Sequence, residues 1–543
     1  MIDDVAVREA TRTGATASAS GALPLPLTGA ARGMGVSSVA GTPGAVRVLV
    51  GARSRRALPA LAARLRRLGA RPRVLPLSGI VSARVPSGAA LARALRSDRR
   101  VAYVERDRTV RLAADPFDSL DVTPGGSGIK YTWAYDEVGA AAALVAAGGG
   151  STRRVAVVDT GVDVNHPELA GRIAATYDVS GGSSVRDVVG HGTFVAGLMA
   201  AVDGNGVGGK GVAGNTRIIA VRTAKSESTT VGRIARAIEL SVRRGASIVN
   251  MSLSGPSFSM TQLRALQLAF YNDVLPVAAA GNQGLNGNPL EFPAAALGGT
   301  RGRRGIGLSV TATRPGGGST GFSAHNDYVS LAAPGAGPGG CELGVFSILP
   351  ANRSSDWDDP LSCSRVFSQT GARFAYGEGT SFAAPLASGI AALVWQVQPR
   401  LKSEQVAHVL IRSARQTVGR GWNERTGAGI VDGAAATALA RVYDVTPPPR
   451  RGSASRRDGT HVAVRIARAR DRTRSGRELA NRLTYAVLVS RDGGRSFRVA
   501  LRRRKPLRHV VSLKGGRTNA IAAAVCDRNA NCAIRRLGRY RPY

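Results

Sequence analysis

Hydrophobic positions fall into three regimes along the chain. Apolar and polar residues alternate over 46–50 as in a strand, and Leu58, Leu61, Leu65 and Leu68 then recur at helical spacing within 53–68. Strand material follows over 74–85, a second helix over 89–95 and a closing strand over 101–104. This β-α-β-β-α-β order predicts a small ferredoxin-like α+β domain. In the middle of the chain continuous apolar runs replace alternation. Residues 155–158 read as a buried strand and 382–395 as a buried helix, within a stretch where strands and helices alternate as a parallel-sheet α/β protein requires. Beyond Val445 alternation returns at 461–466, 485–489 and 497–501, with Asp492-Gly493-Gly494 as a hairpin signal, which predicts a small all-β sandwich.

At 543 residues the chain exceeds what one core serves, and composition places the boundaries. Residues 1–44 are rich in small residues and Pro and read as a disordered or processed leader. The expected divisions are 45–113, 116–444, a Pro/Arg linker over 445–457 and a β module over 458–543. No stretch of eighteen apolar residues is found, so no membrane span is expected. The first twenty residues are acidic and then rich in Ser, Thr and Ala, without the basic segment and apolar core of an export signal.

The formal net charge of +38 invites a nucleic-acid reading until it is located. Residues 46–113 carry 17 Arg against three acidic residues, and residues 446–543 carry 26 Arg and Lys against five, so the middle of the chain is close to neutral. Only six residues are Lys, and the Arg, Ala and Gly bias is first explained by compositional drift. With aromatic residues at 5% no stacking platform for single strands stands out, and nucleic acid is not expected as a partner.

Four cysteines form two near pairs, Cys341 with Cys363 and Cys526 with Cys532. Local pairing implies an oxidising compartment, and four reduced, buried thiols are the alternative. The histidines are dispersed and no CxxC spacing occurs, which argues against zinc.

Four short strings carry candidate chemistry: VAVVDTGVD around Asp159, GHGTFVAG around His191, AAAGNQG around Asn282 and GTSFAAP around Ser381. A serine hydroxyl attacks a carbonyl only if a neighbouring imidazole takes its proton, and the imidazole needs a buried carboxylate to fix its tautomer. Asp159 ends the apolar run 155–158, which puts a carboxylate at the carboxyl end of a strand, where open α/β sheets carry their sites. Ser381 opens the helix read over 382–395, so backbone N–H groups point at developing charge there.

Taken together and in this order, the strings resemble those of the subtilisin-like serine proteases. VNMSLSGP (249–256), LAAPG (331–335), WAYDEVGA (133–140) and VAYVERD (101–107) extend the resemblance. It implies a secreted or extracellular serine endopeptidase acting on proteins or peptides, with Ser381 as nucleophile, His191 as general base and acid, Asp159 as orienting carboxylate and Asn282 in the oxyanion hole. No cofactor is implied for catalysis. The fold implied is a subtilisin-like parallel-sheet domain preceded by an inhibitor-type propeptide over 45–113. The tail of that propeptide, from Thr109 to about Asp115, would occupy the cleft as an intramolecular inhibitor; a permanent regulatory domain is the alternative.

Ser252, Leu253, Ser254, Gly255, Ala280 and Gly281 would bind substrate. No charge is evident in 252–254 or 278–281, which implies a preference for apolar or aromatic side chains. Glu168 matches a position that binds structural calcium in many relatives, and the loop 202–208 adds Asp203 and Asn205, unless it is an ordinary Asp/Asn/Gly turn. The polar stretch 351–365 lies in an insertion relative to compact members and reads as a surface excursion closed by Cys341 and Cys363. The basic module over 458–543 would favour anionic cell-surface polymers or serve as a solubilising appendage. A noncatalytic scaffold and an intracellular maturation protease are the rival readings.

Overall fold

The computed structural model describes residues 45–95, 98–112, 132–203, 205, 210–302, 305–338, 343–352, 357, 366–369, 372–417, 421–445, 448–449, 451–469, 471–472, 478–479, 483–494, 497–527 and 531–542. Two compact units result, one of residues 107–443 and one drawn from 1–106 and 444–543.

The N-terminal stretch runs β1 (Val46–Ala52), α1 (Leu58–Arg67), β2 (Arg73–Leu75), β3 (Ile80–Val85), α2 (Gly88–Leu95) and β4 (Val101–Arg106). Its sheet has the order β2-β3-β1-β4, and every neighbouring pair is antiparallel. The leucine ladder explains α1: Leu58, Leu61 and Leu65 are buried in one cluster with Val48 and Val50 of β1 and Val81 of β3, and Leu68 packs at its edge.

In the 107–443 unit come β5 (Thr109–Leu112), β6 (Arg154–Asp159), β7 (Ile173–Asp178), α3 (His191–Ala200), β8 (Arg217–Arg222), β9 (Ser228–Thr230), α4 (Val231–Arg243), β10 (Ile248–Met251), β11 (Leu253–Ser254), α5 (Met260–Tyr271), β12 (Leu275–Ala279), β13 (Leu308–Thr313) and β14 (Leu331–Pro334). Seven of these strands form a sheet in the order β14-β13-β12-β10-β6-β8-β7, with all neighbours parallel. The continuous apolar runs are the cause. β10, β12 and β13 are buried along their whole length, which requires helices on both faces of the sheet. Helix α6 (Thr380–Val397) packs against β10, β12, β13, β14 and α3. It has the length and hydropathy of a membrane span, yet 89% of it is buried, as the core helix of this sheet.

A second sheet has the order β11-β5-β9, with β5 antiparallel to both neighbours. Arg111 pairs with Ser254 and Ser228, and Leu112 pairs with Leu253. The carboxylate of Asp107, just before β5, accepts from the N–H of Gly232 at 2.6 Å in the first turn of α4 and from Thr230 Oγ1 at 3.1 Å.

β15 (Val345–Leu349), β16 (Val366–Gln369) and β17 (Ala372–Gly377) form an antiparallel sheet, and Trp357 is buried and stacked on Phe194 of α3 at 4.7 Å. Cys341 and Cys363, and the pairing expected of them, lie outside the described residues.

The C-terminal stretch contains β18 (Ser453–Arg456), β19 (His461–Ile466), β20 (Asp471–Arg472), β21 (Glu478–Leu479), β22 (Thr484–Ser490), β23 (Arg498–Arg503), β24 (Leu507–Ser512), β25 (Asn519–Cys526) and β26 (Cys532–Tyr540). Its larger antiparallel sheets are β18-β19-β24 and β23-β22-β25-β26. Val462, Val464 and Ile466 of the first share a core with Tyr485, Val487, Ile521, Ala523 and Val525 of the second. β25 is not the last strand. β26 pairs with it, and the Cys526–Cys532 disulfide joins the paired positions where the two strands meet.

Candidate active site

Asp159 is the last residue of β6 and His191 the first of α3. The imidazole Nδ1 lies 2.7 Å from Asp159 Oδ1, and both residues are at most 1% exposed. The same oxygen accepts from the N–H of Thr160 at 2.8 Å. Gly192 has to be glycine: a Cβ there would lie 2.1 Å from the carbonyl oxygen of Gly161 and 3.2 Å from Asp159 Oδ1.

A second buried carboxylate, missed in the sequence, holds the loop in front of His191. Asp187 Oδ1 accepts from the N–H groups of Val189 and Gly190 and from Thr160 Oγ1 at 3.2, 2.9 and 2.9 Å. Its Oδ2 accepts from the Thr193 N–H and hydroxyl at 2.8 and 2.7 Å. Thr160 Oγ1 in turn accepts from the N–H of Gly192 at 2.9 Å. The Asp187 carboxyl is raised above its ordinary range by burial, against the donors that lower it. The available signal was an Asp four residues ahead of the His, beside a helix start.

Ser381 is the second residue of α6. Its Oγ is 3.4 Å from the carbonyl oxygen of Ser252, and Ser252 Oγ donates to the Ser381 carbonyl at 2.6 Å. Ser252 Oγ accepts from Asn250 Nδ2 at 3.0 Å, and Asn250 Oδ1 accepts from Ser388 Oγ at 2.9 Å. The next residue along, Phe382, brings α6 and α3 together: its ring packs on the imidazole of His191 at 5.6 Å and on Phe194 at 4.4 Å. Asn282 follows β12, and its Oδ1 accepts from the N–H and hydroxyl of Thr380 at 3.0 and 2.8 Å. Two accepted bonds fix which end of this carboxamide is the acceptor, so its Nδ2 faces the other way.

Of the residues expected to bind substrate, Leu253 and Ser254 form β11 beside β5, Ser252 precedes it, and Gly255 exchanges hydrogen bonds with Phe292 at 3.0 and 2.8 Å. Ala280 and Gly281 lie just after β12, and Gly281 N–H donates to Thr380 Oγ1 at 3.1 Å. The segment Glu291–Phe292, absent from the sequence reading, meets both walls. Gly281 has φ +111°, and a Cβ there would sit 2.5 Å from Glu291 Cγ.

Elsewhere in the unit, Asn205 Nδ2 donates to Glu168 Oε1 at 2.7 Å. Burial raises the Glu168 carboxyl, the Asn205 hydrogen bond pulls it down, and the charge of Asp203 raises it further. Glu168 Oε2 is buried and meets no donor among the described residues. No group of three His, Cys, Asp or Glu side chains that could hold a metal ion is found among the described residues.

The sequence profile of the subtilase family matches residues 150–429. M-protease of Shouchella clausii (strain KSM-K16) is 32% identical over 345 residues, covering 63% of this chain and 76% of that protein. Subtilisin Savinase of Lederbergia lenta is 33% identical over 306 residues, covering 56% of this chain and 98% of the relative. The crystal structure of fervidolysin from Fervidobacterium pennivorans is similar with a TM-score of 0.57 over 97% of this chain and 94% of that one, at 19% identity, a likeness of fold.

Proposed function

This chain belongs to the subtilase family and is a serine endopeptidase, and from that premise we propose that Asp159, His191, Ser381 and Asn282 carry its chemistry through an acyl-enzyme. The contact that supports this reading most directly is the 2.7 Å approach of His191 Nδ1 to the buried Asp159 carboxylate. With Nδ1 held there, the imidazole offers Nε2 to the serine side. Ser381 Oγ attacks the scissile carbonyl carbon as Nε2 takes the hydroxyl proton. The oxygen that gains charge receives hydrogen bonds from Asn282 Nδ2 and from the Ser381 N–H, one of the first-turn groups that α6 leaves without an intrahelical acceptor. His191 then gives its proton to the leaving amine, and water completes the cycle with His191 again as base. A serine-directed fluorophosphonate tests this. Labelling at Ser381 that disappears in Ser381→Ala is expected, and absence of labelling in processed wild-type protein overturns it.

The chain is made as a zymogen. β5 supplies the supporting observation, because it lies between β9 and β11 as an antiparallel third strand, the position a bound substrate takes. In this register Leu112 lies opposite Leu253, the neighbour of Ser252, whose carbonyl meets Ser381 Oγ. N-terminal sequencing of wild type and Ser381→Ala tests this: processing near the end of β5 that is lost in the variant is expected.

Structural calcium fits the donors of Glu168, Asp203 and Asn205. A buried carboxylate oxygen without a donor, in a carboxyl raised first by burial and then by a neighbouring carboxylate, is relieved by a hard cation. The protein acts outside the cell, which the Cys526–Cys532 disulfide favours. The Arg-rich β23 and β26 give the C-terminal module exposed positive charge suited to anionic cell-surface polymers.

A further inference from the structure

Trp357, from the polar stretch between β15 and β16, is joined to the His191 imidazole by two phenyl rings. His191 opens α3, and Phe194, one turn on, lies on the same side of that helix. The Phe194 ring stacks on the Trp357 indole, with centroids 4.7 Å apart and planes 11° from parallel. Phe382, the residue after Ser381, completes the group: its ring lies 4.4 Å from Phe194, 6.1 Å from Trp357 and 5.6 Å from the imidazole. Phe194 and Phe382 are fully buried and Trp357 is 4% exposed.

The surrounding backbone is shaped to this arrangement. Gly377, the last residue of β17, has to be glycine, because a Cβ there would lie 2.7 Å from both Phe382 Cε2 and Trp357 Cη2. The two rings meet over bare backbone just ahead of Ser381. Ser347 of β15 donates its hydroxyl to the Phe194 carbonyl at 2.8 Å, and a Cβ on Gly197 would lie 2.5 Å from that hydroxyl oxygen and from Ile348 Cγ1. The strand leading into the inserted stretch thus grips α3 by its backbone, and Trp357 grips it by a side chain.

We propose that Trp357 is a positioning residue for catalysis, through which the inserted stretch holds the Phe194 and Phe382 rings that orient the His191 imidazole against Ser381. The inference rests on the catalytic reading above. Asp159 fixes the imidazole at Nδ1 alone, and one hydrogen bond leaves the ring free to swing about that atom. Phe382 supplies a face that stops the swing. It also sits beside Ser381 on α6, so a shift of its ring disturbs both partners of the proton transfer. Interiors are close-packed, and loss of the indole takes partner atoms from both phenyl rings at once and lets them settle elsewhere. A misplacement of about 1 Å in a reacting pair costs on the order of 10²-fold in rate.

The test uses processed enzyme with active sites counted by titration, so that unfolded protein does not enter the rate. Trp357→Ala is expected to lower kcat by about 10–100-fold with KM within about twofold of wild type, and to slow labelling of Ser381 at saturating fluorophosphonate by a similar factor. Trp357→Leu should show the same split at about 3–10-fold, and it decides the matter if the alanine variant does not fold. Trp357→Phe keeps a flat ring against Phe194 and should restore kcat to within about twofold. Trp395 is the control: it is 3% exposed on the same helix as Ser381, about 20 Å further along. Trp395→Leu should lower Tm and leave kcat per titrated site unchanged. Trp357 variants that keep wild-type kcat, lose only KM, or lose no more kcat than Trp395→Leu overturn this proposal alone. Wild type that neither labels nor cleaves overturns the catalytic reading and this one with it.

Discussion

The hydroxyl of Ser252 donates to the backbone carbonyl of Ser381 at 2.6 Å. In an unbroken helix that carbonyl accepts from the N–H four residues on, but that residue is Pro385, which has none. The Ser252 side chain therefore takes the place of a missing helical donor beside the proposed nucleophile. Asn250 and Ser388 continue the chain of hydrogen bonds, so the wall, the central strand β10 and α6 are one polar assembly in an apolar setting.

Ser252→Ala leaves a buried carbonyl without its donor. Unfolding in urea, measured in a Ser381→Ala background to prevent self-digestion, should show a loss of about 1–3 kcal/mol. In the otherwise wild-type enzyme kcat should fall more than KM rises, because the change acts on the position of Ser381. Unchanged stability and an unchanged kcat would remove the role assigned to this contact.

Asn282→Ala removes the donor proposed for the developing oxyanion. A fall in kcat of about 10²–10³ with little change in KM is expected. Steady-state kinetics on one peptide substrate decides the matter, and a loss confined to KM would assign Asn282 to ground-state binding instead.

Glu378 gives a pH dependence with a definite sign. Burial raises its carboxyl above 4.5, while the Gly337 N–H at 2.6 Å and the charge of Arg314 pull the other way. A raised acid binds its proton more tightly in the folded state, so folding stability is lost as pH rises from the unfolded value through the raised one. Glu378→Gln lacks that loss. The stability of the variant relative to its parent, in the Ser381→Ala background, should therefore climb across that interval and level off above it. A difference that stays constant with pH would contradict this.

Chelation probes the calcium reading. Stripping wild type with a chelator should lower Tm, and added calcium should restore it. Glu168→Gln should start lower and respond less. A wild-type Tm indifferent to both treatments would exclude a structural cation at Glu168, Asp203 and Asn205.

Legibility followed the range of the signal. The leucines of α1, the apolar strand that ends at Asp159 and the helix that follows Ser381 are local patterns, and they appear where the periodicity put them. β26 escaped because its arginines interrupt alternation: its middle residues Arg535 and Arg536 are exposed while its start packs against β25. The stretch 351–365 read as polar surface, yet Trp357 within it is buried against Phe194, a partner that no local pattern names.

By itself the sequence determined which reactive groups this protein owns and which of its regularly patterned segments are strands or helices, because residue chemistry and periodicity are properties of neighbours along the chain. Only the tertiary structure decided what those groups touch. The order of the parallel sheet brings β6, β10 and β12 side by side, so that Asp159 meets His191, Ser252 meets Ser381 and Glu291 meets Gly281. Those meetings depend on strand order and on space left by glycine, which emerge when the whole core packs at once.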